Sequence, residues 1–413
     1  MNQFFSDPQT CVRLQVGPLG AYLEPYAARL HAQQFTRASA RDQIRLVAHF
    51  SRWLDQRQVT AGQVTPQHAQ DYLRIRTRQR TRRINGAAAA LTRLLDLLRA
   101  MAIIAAPPDQ AVPTPAARVV GEFDRYLQHE RGLAGATRIC YRAFVSRFLI
   151  ERFAAGPVEL SCLRAADVTT FVQRHAARPA RKRAQLMTTA LRAFLRFARQ
   201  RGDITLDLAA AVPAVATWTF STLPRGLPPA HVQRVLAHCD QETAVGRRDF
   251  AILLLLARLG VRAGEVAALT LEDLDWQAGH LTVHGKGGYV AQLPLPHDVG
   301  SALAAYLQHG RPRGTTSRSV FMCGRAPAVR LKGQQTVGSI VRRALARAGI
   351  TSPHKGAHLF RHSLATELLR QGASLTEIGE LLRHRSPQTT ALYAKVDLAA
   401  LRTLAMAWPG GGR

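Results

Sequence analysis

Acidic residues are scarce in this chain: 27 Asp and Glu stand against 56 Lys and Arg in 413 residues. The net charge of +29 gives a field that draws in polyanions, nucleic acid first among them. Most of the positive charge is arginine, whose planar fork of donors suits phosphate. A GC-rich gene would explain arginine over lysine, but not the missing acids. Cysteine is also sparse. Cys11, Cys140, Cys162, Cys239 and Cys323 are odd in number and form no C-x-x-C pair, so reduced thiols are expected rather than a disulfide framework or a zinc site. Long apolar runs are missing too. The longest, Phe250 to Ala257, has eight residues, where a membrane span needs roughly 20. The stretch Met1 to Phe5 lacks the basic start and apolar core of a secretion signal. These absences predict a cytoplasmic protein with no membrane partner.

Apolar residues make up 47% of the chain, enough to fold it, and its length allows two or three domains. Two proline-bearing stretches, Ala105 to Pro115 and Pro213 to Pro229, read as linkers. They divide the chain into segments 1–106, 116–212 and 224–413. The first two resemble each other. Val47 and Phe50 match Val145 and Phe148 at an offset of 98. Tyr72 and Leu73 match Phe171 and Val172 at 99. Leu91, Leu95 and Ile104 match Leu191, Leu195 and Ile204 at 100. Each copy predicts about four amphipathic helices, as with Leu191, Phe194, Leu195 and Ala198. Two helical bundles can resemble each other by chance, but a shared charge feature supports a repeat. Seven arginines and no acid lie between Asp71 and Asp96; nine Lys or Arg and no acid lie between Asp167 and Asp203. A charge run is often only a solvated face. Acid-free windows at equivalent places favour two surfaces that track phosphates, with Arg78, Arg80 and Arg82 in the first and Arg181, Lys182 and Arg183 in the second.

The third segment mixes helices with a small sheet. Phe250 to Leu259 reads as a buried helix and Gly264 to Thr270 as another. Leu281 to Val283 and Val290 to Leu293 read as strands joined by a hairpin loop, Gly285 to Gly288. Further helices are expected at about 297–309, 336–348, 357–371, 374–382 and 387–406. Phosphodiester exchange needs a nucleophile that can hold phosphate, cations for the pentavalent transition state and an acid for the leaving oxygen. Candidates occur in order. Arg262 stands at the turn after the buried helix. Lys286 sits at the hairpin tip. His358 and Arg361, three apart, share a helix face. His384 ends a short helix and Tyr393 follows nine residues later.

This ordered set resembles the signature of the tyrosine recombinase (phage integrase) family over about 224–400: arginine, lysine, H-x-x-R, a histidine or tryptophan, then tyrosine. The segment 116–212 resembles the helical, SAM-like core-binding domain that precedes the family's catalytic domain, and 1–106 looks like a second such module. The fold implied is mainly α with a small β-sheet in the catalytic domain. By resemblance, Arg262 and Arg361 clamp the scissile phosphate, and Tyr393 attacks to leave a 3′-phosphotyrosine and a 5′-hydroxyl. Lys286 protonates the departing oxygen, His358 assists proton transfer at the tyrosine, and His384 hydrogen-bonds the phosphate. No cofactor or metal is required. The partners implied are double-stranded DNA, a homo-tetramer spanning two sites, and related recombinases, as in integration, excision or transposition of a mobile element.

The sequence departs from the family in two places. Arg383 replaces the usual glycine of L-G-H, and no further base follows Lys286 in Gly287 to Ala291. Each site residue also has a plainer reading as an ordinary packing or surface residue. Glu265 and His362 are expected to be structural, Glu265 by holding the arginine loop. The tail, with Leu398, Leu401, Leu404 and Trp408, either completes the chain's own core or docks on a neighbouring subunit. Two rival functions stay open: a type IB topoisomerase-like relaxing enzyme, and a DNA-binding protein without catalysis.

Overall fold

The computed structural model describes residues 1–78, 86–105, 113–154, 156–176, 181–215, 226–285, 287–384 and 386–396. Two compact units emerge, one of Ala106–Ser221 and the other of Met1–Ala105 with Thr222–Arg413. Among the described residues no helix is long and apolar enough to cross a membrane.

Residues 1–105 form helices α1 (Pro8–Leu14), α2 (Leu23–Ala32), α3 (Arg37–Asp55), α4 (Pro66–Arg78) and α5 (Ala87–Ala100). Side chains cap the starts of several of them. Asp7 accepts from the backbone of Gln9 and Thr10, and Thr36 accepts from Ser39. The core of this segment gathers Tyr26, Ile44, Val47, Phe50, Leu91 and Leu94. Polar ties inside it include the Tyr26 hydroxyl, which donates to the Ala90 carbonyl at 3.1 Å, and the Leu19 N–H, which donates to the Ser51 hydroxyl at 3.0 Å.

The Ala106–Ser221 unit holds α6 (Pro115–His129), α7 (Gly135–Phe153), α8 (Ala165–Ala176) and α9 (Arg181–Gln200). Residues Met187, Leu191, Phe194, Leu195 and Ala198 make a stripe at helical spacing that closes its core. Phe123 meets Phe194 edge-on at 5.4 Å, and Phe148 meets Phe171 at 5.2 Å. The internal repeat is visible element by element. Helix α7 (135–153) has the length of α3 (37–55), 98 residues on. The single 3-10 turns Ala61–Gln63 and Leu160–Cys162 precede α4 and α8 at an offset of 99. Val47 and Val145, Phe50 and Phe148, Leu91 and Leu191 are buried as pairs.

Residues 226–396 carry α10 (Pro229–Ala237), α11 (Ala244–Leu259), α12 (Ala263–Ala268), strands β1 (Leu274–Asp275), β2 (His280–His284) and β3 (Val290–Pro294), then α13 (His297–His309), α14 (Gln334–Arg347), α15 (His358–Arg370), α16 (Leu375–Leu381) and α17 (Pro387–Ala391). The sheet is antiparallel in the order β1-β2-β3, with Leu274 opposite Leu281 and Leu281 opposite Leu293. Alternation turns Leu281 and Val283 into the core. The sequence pattern did not mark β1 or α10, both short. The last helix also differs from expectation: α17 stops at Ala391, and Leu392–Val396 tighten into a 3-10 turn. Thr389 and Thr390 propagate a helix poorly, and Tyr393 packs inward against Ile378 and Leu382. The tail residues Leu398, Leu401, Leu404 and Trp408 lie outside the described residues.

Candidate active site

Helix α11 carries an apolar block, Ile252 to Leu256, and it ends at Gly260 in the left-handed conformation, φ +55°. A Cβ there would stand 2.7 Å from Leu382 Cδ2, so both backbone and space demand glycine. This ending turns the Gly260 carbonyl toward α15, where it accepts from Arg361 at 2.5 Å. The same guanidinium also donates to the Leu382 carbonyl. Two backbone oxygens from separate elements thus fix Arg361, which is 4% exposed. Burial, with Arg262 and Arg383 nearby, pushes its pKa down to about 10, which leaves it charged at neutral pH.

Arg262 is the residue before α12. Its backbone N–H donates to Glu265 Oε2 at 2.8 Å and its side chain to Oε1 at 2.7 Å. A further donor reaches the Arg383 carbonyl at 3.1 Å. Glu265 is therefore the buried anchor of the arginine loop, as its place in the sequence suggested. It also receives Arg383 NH2 at 3.1 Å, so one carboxylate serves two arginines.

Tyr393 is 2% exposed. Its hydroxyl meets Nδ1 of His362 at 2.8 Å. Burial pushes the phenol up to about 12, and the Arg361 charge opposes that rise. The His362 ring is pushed down to about 4 by burial, then by His358, Arg361 and His354. A neutral ring with its proton on Nε2 accepts the phenolic hydrogen at Nδ1. His384 stacks parallel to Tyr393 at 6.3 Å and shares a 2.7 Å hydrogen bond with the Thr390 hydroxyl. It too is pushed down to about 4, by burial and then by Arg361 and Arg262.

Arg262, Arg361, His384 and Tyr393 are thus brought together. His358 joins them at the rim, its ring 6.5 Å from that of His362. His362 was expected to be structural, with His358 assisting the tyrosine; here His362 meets the phenol. The two stand four positions apart on one helix, so both lie on the same face, and the sequence alone could not rank them. Lys286 lies outside the described residues. Among the described residues no three His, Cys, Asp or Glu side chains gather as a metal site would need.

Two family models match the chain. The phage integrase family model covers residues 225–399, and the phage integrase N-terminal SAM-like domain covers 120–202. An integrase/recombinase of Sinorhizobium fredii, y4rA, is 49% identical over 95% of this chain and 95% of its own length. Tyrosine recombinase XerD of Mycobacterium tuberculosis is 32% identical over 70% of this chain and 96% of its own length. The chain belongs to the tyrosine recombinase (phage integrase) family. The match to y4rA leaves out too little of the chain to omit the first helical segment. The fold of a tyrosine recombinase is shared with a solved structure of XerH bound to palindromic difH substrate in a post-cleavage complex. That likeness has a TM-score of 0.55 at 19% identity and covers 70% of this chain and 84% of the other.

The cationic windows of this tyrosine recombinase are placed only in part. Arg181, Lys182 and Arg183 form the exposed first turn of α9, with the Arg183 guanidinium 5.9 Å from the Phe144 ring centre. Cations at a helix N-terminus oppose the helix dipole, at a cost of about 0.3–1 kcal/mol each. A bound polyanion would offset that. Arg78 closes α4, but its side chain, like Arg80 and Arg82, lies outside the described residues.

One residue stands out that the sequence raised only as a departure. Arg383 adopts φ +56°, a region costing a non-glycine residue roughly 1–2 kcal/mol. It is 8% exposed, and its Nε and NH1 meet no hydrogen-bond partner among the described residues.

Proposed function

We propose that this chain is a site-specific DNA recombinase that cuts and rejoins strands through a 3′-phosphotyrosine at Tyr393. In this reading 1–106 is an N-terminal helical DNA-binding module, 116–212 the core-binding domain and 224–413 the catalytic domain. Arg262 and Arg361 neutralise the non-bridging oxygens of the scissile phosphate. The phenolic oxygen bonds to phosphorus as the bond to the 5′ oxygen breaks, and the phenolic proton passes to Nδ1 of His362. Lys286 returns a proton to the departing 5′ oxygen, and His384 and His358 contact the phosphate and its surroundings. A 5′-hydroxyl from a second duplex reverses the step, so exchange proceeds within a homo-tetramer on two sites, in the cytoplasm, and serves a mobile element. The observation that carries this reading is the buried phenol held 2.8 Å from a neutral imidazole, with Arg361 in electrostatic reach and Arg262 beside Arg361. A tyrosine whose pKa lies near 12 cannot attack as a free phenolate at neutral pH, so a partner must take its proton as it bonds.

The test is a nicked suicide duplex taken from the DNA flanking the gene. The wild-type chain should form a protein–DNA adduct that survives denaturation, and Tyr393→Phe should form none. A wild-type chain with no Tyr393-dependent adduct ends the enzymatic reading. Adduct formation with supercoil relaxation but no exchange between paired sites makes it a topoisomerase instead.

A further inference from the structure

The Arg262, Arg361 and Arg383 guanidiniums lie together with one shared carboxylate, Glu265. His362 and His384 are neutral, so this cluster has two positive charges left over. The first two arginines are satisfied by backbone oxygens and Glu265. Arg383 is not: only its NH2 is engaged. A long cationic side chain with two idle nitrogens, on a backbone that glycine would adopt without strain, is a poor choice if its only task is to brace Glu265. Arg383 also lines a cleft of about 570 Å³, together with Tyr289, Thr376, His384 and Thr390. Glu380 lines the same cleft, and its carboxylate forms no ion pair with Arg383 among the described residues.

We propose that Arg383 is a third phosphate-binding arginine, which takes a DNA backbone phosphate in this cleft through an idle guanidinium nitrogen. This inference rests on the reading of the site as a DNA-cleaving centre and adds a contact to it. The Arg383 carbonyl is the anchor for Arg262, so a phosphate drawn to the side chain is registered against the clamp itself.

The experiment uses the full chain and compares wild type with Arg383→Gly and Arg383→Lys. Glycine keeps the anchoring carbonyl and relaxes the backbone, so the melting temperature should hold or rise. Binding to a duplex is measured across salt concentrations, and adduct formation on the suicide duplex at saturating DNA. For Arg383→Gly the salt slope should become shallower by about 0.9, the value of one lost phosphate contact. Adduct formation should slow by about tenfold or more. Arg383→Lys, which keeps the charge, should retain the slope. A glycine variant with the wild-type slope and rate overturns the proposal. So does a lowered melting temperature in both variants with the slope unchanged, which is the signature of a brace. If the wild type itself forms no adduct, the cleavage reading fails, and the salt slope still decides whether Arg383 meets a phosphate.

Discussion

Between Met1 and Val212, the described core buries Gln43, Ser51 and Thr188 as its polar residues, and no charged side chain. Between Leu227 and Tyr393 it buries Arg248, Asp249, Glu265, Asp273, Arg361 and Arg383. The first region follows ordinary helical packing, in which polar groups stay outside and aromatic rings fill the centre. In the second, some buried charge is structural. Arg248 pairs with Asp249 and donates to the Met322 carbonyl at 3.0 Å, while Asp273 caps the turn at Thr270. The rest, Glu265, Arg361 and Arg383, forms one cluster with more positive than negative charge, and Arg361 in it acts on Tyr393. Burying an unbalanced charge costs stability, so that excess is best explained by a ligand that supplies the missing anions. The charge of Arg181, Lys182 and Arg183 instead lies exposed on the first turn of α9, where it costs little to hold in water.

The comparison is broken or sharpened most strongly at Arg361. If its burial serves chemistry, Arg361→Ala should lower adduct formation by about 10²-fold or more at saturating DNA. Loss of its donors also leaves the Gly260 and Leu382 carbonyls unpaired, at about 1–3 kcal/mol each, which a denaturant melt would show. Arg361→Lys keeps the charge but cannot span both carbonyls. A lysine variant with near wild-type rate would mean that charge alone matters, and the difference between the two regions would shrink to electrostatics.

An effect at the low end of that range is expected at His362. Removing a proton acceptor typically costs about 10²-fold, so His362→Ala should slow the covalent step by that order. A larger loss at His358 than at His362 would return the role to His358. The two buried imidazoles also predict a pH dependence. Both His362 and His384 are pushed down to about 4 in the folded chain, while an unfolded imidazole titrates near 6.5. As pH falls from about 6.5 to 4 the unfolded chain binds protons first, so stability drops across that window and is fully present above it. In His362→Ala the slope over the same window should be shallower; an unchanged slope would mean the ring is not buried in its neutral form.

Much of this contrast was legible in the sequence. Amphipathic spacing predicted about four helices in each of the first two segments, where the structure has five in 1–105 and four in Ala106–Ser221, and the register of Phe50 with Phe148 and Leu91 with Leu191 marked matching core positions. Arg262, Arg361, His384 and Tyr393 could be named because an ordered set of chemically scarce groups is improbable by chance. Other details depend on three-dimensional placement. Whether His358 or His362 meets the phenol is decided by where Leu392–Val396 tightens after α17, and side-chain spacing on α15 cannot report that. The double duty of Glu265 requires Arg383 to approach from a segment 118 residues away. Strand β1, two residues long, carries too little pattern to be read.

The smallest effect on the covalent step is expected where charge lies in water. Arg181, Lys182 and Arg183 occupy the exposed first turn of α9 and close no buried pair. Changing all three to Glu should not destabilise the fold, because each reversal removes about 0.3–1 kcal/mol of repulsion from the helix dipole, against the loss of the Arg183 contact with the Phe144 ring. Acids placed there would even suit the helix dipole. DNA affinity should nevertheless fall steeply, and the salt slope should become shallower by up to about 2.7 if all three meet phosphates, at about 0.9 per contact. At saturating DNA the rate of adduct formation should stay within about threefold of wild type, because these residues concentrate the substrate and leave the barrier unchanged. The same reversal at Arg78, Arg80 and Arg82 asks whether the first module binds in the same way. Equal slope changes at both places would extend the repeat from its core to its function. A slope change at α9 alone would leave the first module as a scaffold that kept the fold and lost the contact.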